Sequence, residues 1–185
     1  TGGCGTAEAT GTITVVSTPV TPVITGPALI CGTGTLTYLY RIGDGTYFVP
    51  GNEFHWTIPA GAVLEAGGGL NDNFIVISFT TDGVKTLQVI ENTTAPAVCS
   101  GPLRTFTINV YSRPVPDAGP AQTICQGETA ILGGTPAGLG QSASGGTGSY
   151  TYSWLPTYGL DNPAAEHPSA NPAVTMTYQL MVTDA

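Results

Sequence analysis

Charge is what this sequence has least of. Lys and Arg together number four in 185 residues, against twelve Asp and Glu, for a formal net charge of -8. The four cations, Arg41, Lys85, Arg104 and Arg113, are scattered. No basic stripe exists to neutralise a phosphate backbone, so nucleic acid is not the expected partner. No apolar run approaches the roughly 18–20 residues that span a bilayer, and no membrane span is expected. The start lacks a charged segment followed by an apolar one, so any export signal is expected to have been removed or to lie outside this stretch. Histidine is almost absent too, with only His55 and His167, far apart. The four cysteines, Cys4, Cys31, Cys99 and Cys125, lack the short paired spacing of a zinc ribbon.

Helical periodicity is also missing. Twenty-six Gly and fifteen Pro stand mostly between short runs rich in Thr, Val and Ile. That pattern favours many strands joined by tight turns, and the expected class is all-β. With hydrophobic residues at 41% and charged residues at 9%, such strands can fill cores but supply little for charged surface networks.

Three segments follow from the punctuation. Residues 1–18 hold one strand, Thr12, Ile13, Thr14, Val15 and Val16, in which apolar and Thr residues alternate so that one face can be buried. Ser17 to Pro22 reads as a short stiff linker, because proline fixes φ and pushes the preceding residue toward extended geometry. Residues 19–113 carry seven expected strands: Val23–Thr25, Thr35–Arg41, Glu53–Ile58, Ala62–Glu65, Asn73–Phe79, Val84–Glu91 and Leu103–Tyr111. Seven short strands between Gly, Pro, Asn and Asp turns are the signature of an immunoglobulin-like two-sheet sandwich, with Trp56 on the third strand expected in its core. Residues 114–185 open on a second Pro-rich joint and repeat the early part of that pattern. Cys125 and Trp154 correspond to Cys31 and Trp56, Gly133–Gly148 is expected to be an exposed, mobile loop, and Thr175–Thr183 a long alternating strand.

The cysteines read as disulfide partners, which implies an oxidising, extracellular setting; buried free thiols in a cytosolic protein are the alternative. Cys31 and Cys99 are expected to meet at one end of the middle sandwich, and Cys4 to pair with Cys125 of another copy. A pairing of Cys4 with Cys31 stays open, since four cysteines allow three connectivities.

No catalytic constellation is apparent. A Ser or Cys nucleophile needs a general base within reach, and His55 lies on a strand beside Trp56 while His167 sits in a Pro/Asn loop. An enzyme is not expected, nor is a cofactor. Calcium, which binds oxygen ligands at the joints of extracellular repeats, is the one metal worth weighing, with Asp117 and Asp184 as its candidates. Both are equally explained as turn formers. Tyr38, Tyr40, Tyr47, Phe48, Tyr150, Tyr152 and Tyr158 form a candidate sugar platform, against the alternative of half-buried cross-strand pairs.

Several motifs together carry a family resemblance. These are Asp117-Ala118-Gly119-Pro120, Thr123-Ile124-Cys125-Gln126-Gly127-Glu128-Thr129, the run from Gly145 to Trp154, Gly159-Leu160-Asp161-Asn162-Pro163 and Val182-Thr183-Asp184-Ala185. They resemble PKD-like and Ig-like repeats of large cell-surface and gliding-associated proteins of Bacteroidota, commonly exported by type IX secretion. Phe54-His55-Trp56-Thr57-Ile58-Pro59 is similar to the related PKD-like repeats of the same proteins. The resemblance implies stalks, adhesins and filaments rather than catalysis. It also implies that Val-Thr-Asp-Ala is followed by a Gly-Cys turn and a Thr/Val strand, which here match Gly3-Cys4 and Thr12–Val16.

The expected architecture is therefore tandem Ig-like/PKD-like β-sandwiches, the last lacking its final strand and completed by the N-terminal strand of another copy. Cys4 precedes Thr12 by the spacing at which Cys99 precedes Thr107. The expected function is a non-enzymatic structural subunit or repeat of an extracellular bacterial filament, built head-to-tail from copies of itself. One alternative is an excerpt of a giant tandem-repeat adhesin or gliding-associated stalk with a surface glycan or protein ligand. Another is a carbohydrate-binding accessory module.

Overall fold

The computed structural model describes Cys4, Thr6 and residues 8–185, among which there are strands and turns and no helix. The middle segment contains β1 (Ile24–Thr25), β2 (Leu29–Cys31), β3 (Thr37–Ile42), β4 (Asn52–Thr57), β5 (Ala62–Gly67), β6 (Phe74–Phe79), β7 (Gly83–Thr93) and β8 (Arg104–Tyr111). Alternation decides which face each strand buries. Tyr40 and Ile42 on β3, Ile75 and Ile77 on β6, Leu87 and Val89 on β7, and Ile108 and Val110 on β8 are almost completely inaccessible. Their intervening neighbours reach toward water. Two four-stranded sheets result, in the orders β1-β3-β6-β5 and β2-β8-β7-β4. This is the immunoglobulin-like order, with the first strand split so that its second half, β2, crosses to the other sheet.

All seven strands expected from sequence are present within a few residues of their expected limits. The eighth, β2, escapes a local reading because it is three residues long and parallel to β8, so no hairpin turn announces it. The buried aromatic of β4 also differs from expectation. Phe54 is fully enclosed, whereas Trp56 packs on the rim of the core and its indole N–H donates to the Asp72 carbonyl at 2.9 Å.

A carboxylate lies inside this unit. Glu91 is wholly buried and accepts hydrogen bonds from Thr21 Oγ1 at 2.7 Å, Asn52 Nδ2 at 2.7 Å and Tyr47 Oη at 2.9 Å. Arg104 Nε donates to the Thr21 carbonyl at 2.7 Å. The expected stiff linker is thus docked, with Pro19 and Thr21 buried against the unit that follows it. Burial, then the hydrogen bond to Glu91, pushes the Tyr47 hydroxyl up to about 12.

The last segment contains β9 (Val115–Pro116), β10 (Ala130–Ile131), β11 (Ala143–Ser144), β12 (Tyr150–Leu155), β13 (Ser169–Ala170) and β14 (Gln179–Asp184). They form three two-stranded pairs, β9 with β11, β10 with β13 and β12 with β14. Trp154 is 1% exposed, and its indole N–H donates to the Ala165 carbonyl at 3.0 Å. Of the hydrophobic residues described in this segment only Ala143, Ala170 and Leu180 are also buried, against twelve in the middle unit.

Two expectations are corrected here. The long strand Thr175–Thr183 is a ladder only over Gln179–Asp184, because the residues before Gln179 have no neighbouring strand to bond. Gly133–Gly148 is not simply an exposed loop. It contains β11, and Gly133, Gly134 and Ser142 are buried within it.

Candidate assembly site

The two units can be laid on each other through their tryptophans. Trp56 faces Val89 across the β4–β7 pair, and Trp154 faces Leu180 across β12–β14. The same superposition matches Asn52–Thr93 with Tyr150–Asp184, so β12 and β14 occupy the places of β4 and β7. In the middle unit β7 pairs on its other side with β8, and β8 with β2. In the last unit β14 is hydrogen-bonded to β12 alone among the described residues, and β9 lies close to β14 without pairing with it.

A groove of about 720 Å³ lies beside residues 172–178, which lead into β14. Its lining includes Ile124, Cys125, Trp154, Val174, Met176 and Tyr178. Val174, Met176 and Tyr178 match Gly83, Lys85 and Leu87, which in the middle unit face Val110, Ile108 and Phe106 of β8. Were that register continued through residues 174–178, the groove would face the positions that β8 fills in the middle unit. Sequence reading did not single out Val174 and Met176, although their alternation with Thr175 and Thr177 was the available signal.

Thr12–Val16, expected as a strand, belongs to no strand or ladder among the described residues. Ile13 is 91% exposed and Val15 86%. Counting from the cysteines, Ile13 and Val15 match Ile108 and Val110, which are 0% and 1% exposed. Gly11 falls at the place of Phe106, and Trp154 is among the residues that line the groove.

The cysteines are not placed as expected. All four are unpaired within the chain. Cys31 lies opposite Tyr111 at the far end of β8, where Gly83 faces Val110. Cys99 is bonded to Thr93 at the other end of β7, its carbonyl accepting from Thr93 N at 3.0 Å and its N–H donating to Thr93 Oγ1 at 2.8 Å. At ~3.3 Å per residue, the length of β7 separates them by roughly 30 Å. A disulfide needs Cα atoms within about 7 Å, so an intra-unit Cys31–Cys99 bridge is ruled out by the parallel register of β2. The expected Cys31–Cys99 pairing rested on Cys31 preceding the second expected strand and Cys99 lying between the sixth and seventh; the additional strand β2 instead carries Cys31 to the opposite end.

Tertiary structure also assembles one group that the sequence kept apart. Ser142 Oγ lies 3.2 Å from His167 Nδ1, and His167 Nε2 lies 3.7 Å from Glu166 Oε1. The arrangement does not activate a nucleophile. Ser142 is fully buried, its hydroxyl donates to the Glu166 carbonyl at 3.0 Å, and His167 Nδ1 also approaches the Leu132 carbonyl at 3.4 Å. A ring N–H directed at both oxygens leaves no base on that side, so the trio clasps the β11 loop. His55 lies elsewhere, half-exposed beside Glu53 at 3.5 Å.

The candidate calcium ligands are committed to turns. Asp117 accepts from Gly119 N at 2.9 Å and Thr135 Oγ1 at 2.8 Å, and Asp184 accepts from Thr147 N and Oγ1, each at 2.7 Å. No group of three or more His, Cys, Asp or Glu side chains able to hold a metal occurs among the described residues. The tyrosine platform is dispersed: Tyr40 is fully buried, Tyr47 serves Glu91, and Tyr150 and Tyr152 pair edge to face. Of these roles the Asp184 turn is testable by pH. The Thr147 hydroxyl, then its N–H, holds the Asp184 carboxyl below the usual aspartate range. Gly146, at φ +60°, allows the close approach, since a Cβ there would stand 2.5 Å from Asp184 Oδ2. A depressed folded pKa stabilises above the unfolded value of about 3.9 and is lost as pH falls through the folded one. A carboxyl NMR titration should show Asp184 ionising below a free aspartate, and returning toward it in Thr147→Val.

No family model and no curated protein matches the chain. Among solved structures it is similar to the C-terminal 282-residue fragment of intimin in complex with the intimin-binding domain of the translocated intimin receptor. That match has 16% identity and a TM-score of 0.46, covering 90% of this chain and 60% of that one. A chimeric titin Z1Z2 functionalized with an exogenous peptide from decorin matches at 13% identity and a TM-score of 0.30, covering 90% of this chain and 92% of that one. At these values the likenesses add nothing to the strand orders above, on which the immunoglobulin-like β-sandwich assignment rests.

Proposed function

We propose that this chain is a non-enzymatic building block of an extracellular bacterial filament, in which Thr12–Val16 of one copy completes the last sandwich of its neighbour. The supporting observation is the contrast between Ile13 and Val15, 91% and 86% exposed, and their counterparts Ile108 and Val110, which are buried in a finished sheet. Strand addition satisfies the main-chain groups along the open edge of β14 and places the two apolar side chains in the groove. The donor segment belongs to the front of one copy and the acceptor edge to the rear of another, so the contact repeats head-to-tail without closing. The placement at a bacterial surface rests on the resemblance of the motifs to Bacteroidota repeats. No helix long and apolar enough to cross a membrane is present among the described residues.

The purified chain should form concentration-dependent linear oligomers, visible by electron microscopy and sedimentation. A peptide spanning residues 8–18 should cap and shorten them. A chain that stays monomeric at every concentration, and binds no such peptide, overturns the proposal. Whether native copies are joined by peptide bonds is read by boiling native material under reduction. Separate subunits run near 19 kDa, and a tandem protein remains very large.

A further inference from the structure

We propose that each contact between copies is stapled by two disulfides, Cys125 to Cys99 of the following copy and Cys31 to Cys4 of the following copy. The inference rests on the strand-completion reading above, and it replaces both the Cys31–Cys99 and the Cys4–Cys125 pairings. In the middle unit β2 runs parallel to β8 and sets Cys31 opposite Tyr111. Cys125 holds the place of Cys31 and lines the groove. Val16 holds the place of Tyr111. An inserted strand therefore brings Val16 of the incoming copy beside Cys125.

Val16 already has a cysteine on it. Its carbonyl accepts a hydrogen bond from Cys99 Sγ at 3.6 Å within its own chain. Pro19 and Thr21, both buried, hold the linker between Val16 and the middle unit. Insertion thus carries Cys99 to Cys125 as a consequence of register. Cys4 of the incoming copy instead takes the place of Cys99, whose partner Thr93 corresponds to Asp184 at the opposite end of β14. That end adjoins Cys31. Ser112, next after Tyr111, accepts from Gly146 N at 3.0 Å, and Gly146 lies under the Asp184 carboxylate. One rule covers both junctions: the cysteine at the exit of one unit meets the cysteine in the last turn of the next.

Each bridge forms by thiol–disulfide exchange with a small disulfide oxidant such as oxidised glutathione. One cysteine thiolate attacks a glutathione sulfur and expels a glutathione thiolate. The partner thiolate then attacks the mixed disulfide and expels the second. Two cysteine thiols are oxidised to one disulfide, one glutathione disulfide is reduced to two thiols, and the two protons pass to the departing thiolates. Cys4, Cys31 and Cys125 are exposed and Cys99 half-buried, so the thiols are accessible.

The test uses the full chain assembled with oxidised glutathione and run without reductant. Cys31→Ser and Cys125→Ser should each keep the covalent ladder, because one staple remains at every contact. The double variant should collapse to a band near 19 kDa while still forming filaments by microscopy. Loss of the ladder in Cys125→Ser alone indicates Cys4–Cys125 linkage and overturns the inference. So does a peptide map that joins Cys31 to Cys99, or filaments of the native sequence that fall to single chains without reductant. Absence of filaments in every variant fails the strand-completion reading itself.

Discussion

Replacing Ile13 and Val15 together by Asp weakens association between copies by roughly a thousandfold. Full burial of an Ile or Val side chain stabilises by about 1.5–3 kcal/mol, so losing two such burials removes about 4 kcal/mol, and each tenfold in affinity corresponds to about 1.4 kcal/mol. The carboxylates add a desolvation cost in the same direction. Neither residue packs within its own chain, since both are almost fully exposed. The variant should therefore keep the melting temperature of the isolated chain while losing the oligomers seen by sedimentation. Val20→Asp is the control. Val20 is 81% exposed but lies beyond the strand, and its replacement should leave association unchanged. Assembly of the double variant at wild-type concentrations sinks the strand-completion reading.

Glu91→Ala should destabilise the middle unit by about 3 kcal/mol. Three donors converge on the buried carboxylate, from Thr21, Asn52 and Tyr47. Hydrogen bonds to charged groups contribute about 1.5–3 kcal/mol each, and donors stranded by removing the acceptor bear their own desolvation cost. Calorimetry should show a fall in Tm of roughly 10 °C or more, at the 4–8 °C per kcal/mol typical of a domain this size. Thr21→Ala removes one donor to the carboxylate and should cost about 1.5–2 kcal/mol. A second readout separates this network from general damage. Tyr47 ionises at about 12, and its raised value means that its contribution is complete below pH 10 and is lost as pH rises through 12. In Glu91→Gln the Tyr47 titration should move down, because a neutral amide no longer opposes the phenolate.

The coupling of these two effects has a structural consequence. Thr21 belongs to the linker behind the assembly strand, and its side chain is fixed by Glu91 while Arg104 holds its carbonyl. The strand therefore projects from a clamped base, which lowers the conformational entropy lost when it docks. Loosening the base through Thr21→Ala should weaken assembly without touching the groove.

Much of this molecule is legible in local sequence because its determinants are local. Alternation along Thr37–Ile42 and Phe74–Phe79 specifies which face is buried, and Gly, Pro, Asn and Asp mark the turns. The same alternation predicts a strand at Thr12–Val16, where the structure has none among the described residues. Sequence reading missed what depends on neighbours distant in the chain. Glu91 looks like any strand glutamate until Thr21, Tyr47 and Asn52 close on it. Ser142 and His167 stand in separate loops until the β11 turn brings them together.

By itself, then, the sequence determined the all-β class and the turns, since strand period and turn residues are properties of contiguous residues. Only the tertiary structure decided which end of the sandwich each cysteine occupies and where the open edge lies. Sheet order and parallel register are set by packing between strands far apart in the chain, and no local pattern encodes whether a strand such as Leu29–Cys31 runs with its neighbour or against it.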